Sequence, residues 1–433
     1  MFCCEAMPLS RSNLTALTSP QSFLWATGIE DTFITHPWPG TGRTLDEYEL
    51  TQHYTQWKTD LKLISEIGVK TIRYGLPWHR INPAQGKWDW GWTDEVLERL
   101  LEYGIDPIID LVHYGTPAWI EGAFLNPDFP ERMAEYAARV AERFKGRIRA
   151  FTPLNEPRIT AWYCGKLGWW PPYRRGWGGF VSIMKALCAG IVRTQENLLA
   201  VDNQIVTVHV DATDLFTTKD DSLRAEVELR QQLVFLALDL ITGLVTPLHP
   251  LYSFLLKHGM SETELAWFSE HAVKVDIVGI NMYPMYTLKE MIRTTDGIRP
   301  RMPYASADLV EQLATMYWQR YHRPIMIAET ASVGPVKRRL RWLNDSLDAV
   351  RRLRAGGVPL IGYTWWPMFA LIGWAYRQNN RPFEKYLLQM GLWDLQSDNG
   401  NQLERVATPI VDIYKEMIAG GIRDVGKLAY AGA

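Results

Sequence analysis

The chain has few cysteines, and they are not arranged as a metal site or a disulfide framework. Its 433 residues contain only Cys3, Cys4, Cys164 and Cys188, whereas a zinc site or a disulfide-rich fold needs paired cysteines at short spacings. The nine histidines include no His-x-His pair and no pair at helical spacing that would suit a metal. The sequence therefore predicts neither a metal ion nor another cofactor.

An excess of charge of either sign is also absent. Lys and Arg number 46 and Asp and Glu number 48, which gives a net charge of −2 and predicts no nucleic-acid partner and no membrane-binding patch. The N-terminus has no basic start followed by a long apolar core, and no stretch is apolar for long enough to span a membrane. We therefore expect a cytoplasmic protein; the oligomeric state stays open.

Eight short apolar runs alternate with segments of helical periodicity. Because most runs are continuously apolar, they indicate strands buried on both faces, as in a parallel sheet. We predict the α/β class and a single (β/α)8 TIM barrel with insertions after strands 4, 5 and 8. Residues 1–20 are expected to be a loose tail, and 21–433 the barrel domain. The predicted strands are 23–28, 69–76, 107–112, 148–154, 204–210, 275–280, 324–329 and 360–365.

A doubly wound open sheet is the rival fold. It would normally carry a glycine-rich phosphate-binding loop after the first strand, and none occurs here. Helices are predicted over 47–67, 93–103, 130–145, 181–200, 306–320, 340–354 and 408–418, and a Trp-, Gly- and Pro-rich loop over 157–180.

Polar residues recur where the predicted strands end, which is the face of a barrel where active sites are built. Glu156 and Glu329 end strands 4 and 7, and glycosidases use a pair of carboxyl groups, one as proton donor and one as nucleophile. Asn155 would bind the sugar 2-hydroxyl, and Arg73 would keep the nucleophile Glu329 charged. The alternative is that Glu156 caps a loop and Glu329 pairs with an Arg at the barrel rim.

The order and spacing of seven segments extend this interpretation. They are Phe23–Trp25, Ile72–Pro83, Tyr103–His113, Thr152–Pro157, Gly279–Tyr283, Ile327–Thr330 and Gly362–Trp366. Together they resemble glycoside hydrolase family 1, the retaining β-glycosidases of clan A, over nearly the whole chain. The resemblance implies that His113 and Asn281 bind the sugar, that Tyr283 bonds the nucleophile, and that Trp366 forms the floor under the ring.

The chain also departs from the family pattern. The family's strand-1 Gln, which binds the sugar's 3- and 4-hydroxyls, is absent, and Glu30 or Asp31 nearby would take its place as a sugar ligand. Tyr114 replaces the Trp after the strand-3 His and would also contact the sugar. Thr330 and Ala331 follow the nucleophile instead of Asn-Gly, and the Glu that holds the 4- and 6-hydroxyls falls on Gly373. We therefore expect an atypical sugar-binding pocket in a divergent member.

Aromatic and basic residues in the loops after strands 4 and 8 extend the candidate site. Trp374 is retained beside Gly373, and Trp170 belongs to an aromatic loop that would line the aglycone entrance or form a hydrophobic cluster. Basic side chains near the loops would either contact an acidic or phosphorylated sugar or simply be solvated: Arg174, Arg175 and Arg377.

The sequence thus favours a retaining β-glycosidase that acts on a small glycoside or oligosaccharide through a covalent intermediate. Two alternatives remain open: a transglycosidase that passes the same intermediate to an acceptor, and a non-catalytic barrel that binds a glycan. A metal-dependent hydrolase is disfavoured, because the histidines show no ligand spacing.

Overall fold

Eight parallel strands close into a barrel. The computed structural model describes residues 9–397 and 402–422. Its barrel strands are β1 Leu24–Ile29, β2 Thr71–Gly75, β3 Asp106–Asp110, β4 Ala150–Thr152, β5 Val206–Ala212, β6 Ile277–Asn281, β7 Ile325–Thr330 and β8 Leu360–Trp365. Each strand pairs with its neighbours in chain order, and β8 pairs with β1 in register Trp25 to Tyr363. The predicted (β/α)8 barrel is therefore confirmed.

Helices surround the barrel and bury its outer face. They are α1 His53–Ile67, α2 Gly91–Glu102, α3 Phe129–Arg143, α4 Gly176–Val201, α5 Arg224–Ile241, α6 Asp308–Tyr321, α7 Val336–Ala355 and α8 Ile410–Gly420. The predicted helix 47–67 is interrupted, because Gln52 has a left-handed φ of 62° that separates a short helix, Glu47–Leu50, from α1. No helix in the described ranges is long and apolar enough to cross a bilayer.

The barrel interior is filled by apolar side chains, most of them small or branched, as expected for a packed barrel. They include Ala26, Ile108, Ala150, Val206, Val208, Val210, Met326, Ala328 and Ile361. Leu9 and Leu17 pack against this cluster from the N-terminal side of the strands, and Arg11 forms an ion pair with Asp276 at 3.1 Å. Of the predicted loose tail, residues 9–20 are thus folded against the barrel, and residues 1–8 lie outside the described part.

The loops at the carboxyl ends of the strands carry more structure than the sequence indicated. Part of the predicted loop 157–180 is helical, with Pro157–Ala161 followed by a π-helical turn, Trp162–Leu167. A hairpin that the sequence did not reveal, Leu288–Thr294 with Gly297–Arg301, follows β6. Its first strand also pairs with Leu215–Thr217 in the insertion after β5.

The remaining elements are short. The helices among them are Leu14–Leu17, Trp78–Ile81, Tyr252–Lys257 and Glu262–Glu270, and the 3-10 turns are Arg11–Asn13, Ala123–Leu125, Asp221–Leu223, Trp374–Arg377 and Phe383–Tyr386. The paired short strands are Phe33–Ile34 with Leu45–Asp46, Leu371–Ile372 with Leu387–Leu388, and Trp393–Ser397 with Leu403–Ala407.

Candidate active site

A cavity of about 370 Å³ lies at the carboxyl end of the barrel. Eight of the predicted site residues line it: His113, Tyr114, Glu156, Asn281, Tyr283, Glu329, Trp366 and Trp374. Arg73 and Asn155 are fully buried and hydrogen-bond these residues from the barrel interior. The structure thus brings together the carboxyl pair and all three of its predicted supporting residues.

Arg73 is the buried cation beneath the carboxyl pair, and Lys289, paired with Asp214 at 3.3 Å, lines the cavity itself. Nη1 of Arg73 donates to Oε1 of Glu329 at 2.7 Å, and its Nη2 donates to Oδ2 of Asp110 at 2.9 Å and to Oδ1 of Asn155 at 3.1 Å. Oε1 of Glu30 also lies 2.7 Å from Nη1. One guanidinium therefore pairs with three carboxyl groups at once, which is possible because its N–H donors point in several directions in one plane.

Glu329 is aimed into the cavity by an irregularity in β7. The register of β7 shifts between Ile327 and Glu329 against β6 and between Ile327 and Thr330 against β8, and such bulges redirect side chains near active sites. The Tyr283 hydroxyl donates to Oε2 of Glu329 at 2.7 Å. The carboxylate is thus held on both oxygens, by Tyr283 on one and Arg73 on the other.

Glu156 has a different environment. Its backbone is left-handed, with a φ of 47°, and its N–H donates to the Val210 carbonyl in β5 at 3.0 Å. The Tyr114 hydroxyl donates to Oε2, and Nδ2 of Asn281 donates to Oε1 at 2.9 Å. Its direct partners are therefore neutral, and the strained backbone fits a residue held in place by its surroundings.

The pKa of Glu156 is raised to about 7. Burial is the main cause, and the negative charge of Glu329 adds to it, while the hydrogen bonds from Tyr114 and Asn281 oppose the shift. A carboxyl group that is still partly protonated at neutral pH can serve as a proton donor.

His113 and Asn155 form a chain of polar contacts between Asp110 and Tyr114. Nδ1 of His113 lies 3.2 Å from Oδ2 of Asp110, and its Nε2 lies 3.3 Å from Nδ2 of Asn155. Nδ2 of Asn155 also donates to the Tyr114 hydroxyl at 3.0 Å. Asp110 is the functional neighbour that sequence reasoning missed. The available signal was a carboxylate that ends a buried strand three residues before His113.

Trp366 and Trp374 line the cavity together with four tyrosines. Nε1 of Trp366 donates to the Glu30 carbonyl at 3.1 Å, and Nε1 of Trp374 donates to Oγ1 of Thr32 at 3.1 Å. Trp170 is buried and is not among the cavity-lining residues; its ring centroid lies 4.6 Å from that of Tyr163 and 4.9 Å from that of Trp374. Trp170 therefore supports the wall and is not exposed in the cavity.

Glu30 and Asp31 do not line the cavity either. The Glu30 side chain turns back beneath Trp366, where a Cβ on Gly28 would come within 2.3 Å of Oε2 of Glu30. Burial raises the pKa of Glu30 well above 4.5, against the opposing charge of Arg73. Burial also raises the pKa of Asp31 to about 6. The expectation that one of them takes the place of the absent Gln as a direct sugar ligand does not fit this geometry.

The three arginines considered for an acidic sugar also lie away from the cavity. Arg377 is fully buried, and its Nη1 and Nη2 donate to the carbonyls of Trp169 at 3.0 Å and His36 at 2.8 Å. It therefore ties loops together. Arg174 and Arg175 are exposed and line a separate groove.

Comparisons with known proteins agree with the resemblance. Residues 26–236 match the sequence profile of glycosyl hydrolase family 1. A bifunctional beta-D-glucosidase/beta-D-fucosidase from Bifidobacterium breve is 34% identical over 131 residues, which cover 28% of this chain and only 27% of that protein. Beta-glucosidase 47 from Arabidopsis thaliana is 23% identical over 380 residues, which cover 74% of this chain and 69% of that protein.

The fold has close counterparts among solved structures. The family 1 β-glucosidase from Thermotoga maritima superposes with a TM-score of 0.78 at 20% identity, over 93% of this chain and 98% of that one. A complex of the Thermotoga enzyme with glucoimidazole gives a TM-score of 0.79. The profile match spans residues 26–236, a little under half of the chain, and it agrees with the motifs found along the sequence: this part of the chain matches glycosyl hydrolase family 1. The solved structures show that the barrel fold is shared.

Proposed function

We propose that this protein is a retaining β-glycosidase with an altered sugar-binding pocket. The observation that carries the proposal is that Glu156 and Glu329 line one cavity in contrasting environments. Glu329 accepts from a cation and a tyrosine, whereas Glu156 accepts from a tyrosine and an amide. Two carboxyl groups whose surroundings differ in this way suit the roles of nucleophile and acid. The Bifidobacterium relative is named as a bifunctional β-D-glucosidase/β-D-fucosidase and the Arabidopsis relative as a β-glucosidase, and both names support the substrate class.

In the first step, an oxygen of Glu329 attacks the anomeric carbon while Glu156 gives its proton to the departing glycosidic oxygen. The aglycone leaves as an alcohol, and the sugar remains joined to Glu329 as an ester. Asn155 precedes Glu156 and is held by Arg73, Tyr114 and His113, which supports a role in binding the sugar 2-hydroxyl.

The second step reverses the role of Glu156. The negative charge of Glu329 is one cause of the raised pKa of Glu156, and that charge disappears when the ester forms. The pKa of Glu156 therefore falls in the intermediate, and its carboxylate can take a proton from water. The resulting hydroxide attacks the anomeric carbon, breaks the ester and returns Glu329 to its ionised form.

Sugar recognition is altered at two places. Glu30 is withdrawn from the cavity beneath Trp366, and Gly373 brings no side chain to the loop after β8. The polar side chains that line the cavity include Thr32, His113, Asp214, Asn281 and Lys289. The carboxyl pair is therefore kept, whereas residues 30 and 373 bring no polar side chain to the cavity.

Transfer to another acceptor is the second candidate, since Tyr286 lines the cavity and is 41% exposed, which suits an apolar acceptor. Product analysis with an added alcohol or sugar separates the two, because a transglycosidase gives mostly the transfer product. A purely glycan-binding barrel would give no product at all.

The roles of the two carboxyl groups can be separated with activated aryl β-glycosides. Glu329→Ala should lose nearly all release of the aryl group. Glu156→Ala should keep the first step, because a good leaving group needs little protonation, and added azide should restore its turnover. Glu384→Ala is the control, because Glu384 is exposed and lies outside the cavity. Equal losses in both active-site variants, without azide rescue, would contradict the assignment.

A further inference from the structure

One wall of the cavity is apolar, and we call it the β8 wall. It consists of Leu371, Gly373, Leu388 and Met390 in the loop that follows β8. The other cavity-lining segments each bring a polar side chain, from Thr32 after β1 to Glu329 in β7. Trp374 shares this loop, but its indole N–H already donates to Oγ1 of Thr32.

The backbone of the β8 wall has hydrogen-bond partners of its own. Leu371 and Ile372 pair antiparallel with Leu388 and Leu387. The N–H of Gly373 donates to the Tyr386 carbonyl at 2.7 Å, and the Met390 carbonyl accepts from Nε1 of Trp365 at 3.2 Å. Side chains and backbone of the wall thus present a predominantly apolar surface to the cavity.

The wall also has space at Gly373. A Cβ built there would lie 3.5 Å from the Tyr386 carbonyl oxygen and 3.7 Å from Cδ1 of Leu388, which are ordinary contact distances. The position therefore accepts a side chain without a clash. Because Gly373 lines the cavity without a side chain, the place that a longer side chain would fill is left to a group of a bound ligand, and we call this place the recess.

A sugar hydroxyl pressed against this wall would lose its water without gaining a hydrogen bond, which is unfavourable. A methyl group or the acyl chain of an ester would instead gain apolar contact there. Carbon 6 is the one carbon outside the ring of a hexopyranose, so its substituent reaches furthest into a recess.

Building on the proposed glycosidase function, we propose that the β8 wall selects β-glycosides whose sugar carries an apolar group at carbon 6. That group is a methyl, as in a 6-deoxy sugar, or an O-acyl ester. The free primary hydroxyl of an ordinary hexose is disfavoured at this wall.

The test compares kcat/KM for nitrophenyl β-glycosides that differ only at carbon 6. The pairs are galactoside with fucoside, glucoside with its 6-deoxy analogue, and glucoside with its 6-O-acetyl ester. We expect the apolar member to be preferred by roughly tenfold or more, the discrimination that a single group in a pocket can give. Preference for the deoxy sugars alone identifies the methyl group, and preference for the ester identifies the acyl group.

Two variants of the β8 wall show whether the preference depends on the wall and not on other differences between the substrates. Gly373→Glu should place a carboxylate in the recess and shift the preference towards the free hydroxyl, and Leu388→Ser should weaken the preference for the apolar member. Leu248→Glu is the matched control, because Leu248 is 95% exposed and lies outside the cavity, so the preference should not change.

Two contrary results have different meanings. Equal or better use of the free hydroxyl by the wild type, with turnover still lost in Glu329→Ala, overturns the selection at the wall and leaves the glycosidase function standing. The absence of Glu329-dependent turnover with every member overturns both.

Discussion

Tyr114→Phe tests how the Tyr114 hydroxyl affects the pKa of Glu156, the proposed acid. The Tyr114 hydroxyl donates to Oε2 of Glu156 and itself accepts from Nδ2 of Asn155 at 3.0 Å, so its proton is directed at the carboxyl group. This bond favours the ionised form of Glu156 and offsets part of the rise that burial and Glu329 cause, so that the pKa is about 7 with the bond in place. Without the hydroxyl, the pKa of Glu156 should rise further.

The size of that rise can be estimated. A hydrogen bond to a charged group contributes about 1.5–3 kcal/mol, and one pKa unit corresponds to about 1.4 kcal/mol. The pKa of Glu156 should therefore rise by about one to two units. Because the protonated acid is the active form in the first step, the alkaline limb of the kcat/KM profile should move to higher pH by that amount.

The assay is kcat/KM against pH with an aryl β-glycoside that has a poor leaving group, so that protonation by Glu156 is required. Tyr163→Phe is the matched control, since Tyr163 lines the same cavity and forms no hydrogen bond with Glu156 among the described residues. Its alkaline limb should stay in place. An alkaline limb that is unmoved, or moved to lower pH, in Tyr114→Phe would refute the reasoning.

Three further changes have defined outcomes. Arg73→Met leaves the carboxyl groups of Glu329, Glu30 and Asp110 without their cation, so chemical unfolding should show a loss of about 3–5 kcal/mol. Glu30→Gln removes a carboxyl group whose pKa is raised well above 4.5 by burial. The wild type loses stability as pH rises from 4.5 through that raised value, so the variant should lose less stability over the same rise in pH in thermal unfolding. Tyr283→Phe removes one donor to Glu329, so kcat with aryl glycosides should fall roughly tenfold or more, while circular dichroism stays unchanged.

The barrel strands could be predicted because each is a short apolar run, and the observed bounds lie within a few residues of those expected. The carboxyl pair could be predicted because Glu156 lies in the loop after β4 and Glu329 near the end of β7, and a closed barrel brings all its strand ends to one face. Tyr283, Asn281 and Trp366 followed from the resemblance, and the structure places all three in the cavity.

The positions of three other side chains depend on tertiary packing, which a sequence pattern does not reveal. Glu30 could not be placed, because only the lack of a Cβ on Gly28 and the position of Trp366 let its side chain turn inward. Trp170 is withdrawn from the cavity by stacking on Tyr163. Arg377 is drawn into the interior by backbone carbonyls, which no charge pattern reveals.

The hairpin after β6 and the π-helical turn after β4 were missed because their sequences lack a clear strand or helix period. The cytoplasmic location and the absence of a nucleic-acid partner, both expected from composition, stay predictions.

The most direct test of the account is to trap the covalent intermediate. An aryl 2-deoxy-2-fluoro-β-glycoside of an accepted sugar should inactivate the enzyme, because the fluorine slows both steps and the good leaving group lets the first one proceed. Mass spectrometry of the digested protein should find the sugar as an ester on the peptide that contains Glu329, and an added acceptor should release it. A label on another residue, or release of the aryl group without any covalent adduct, would contradict the assignment of Glu329 as the nucleophile.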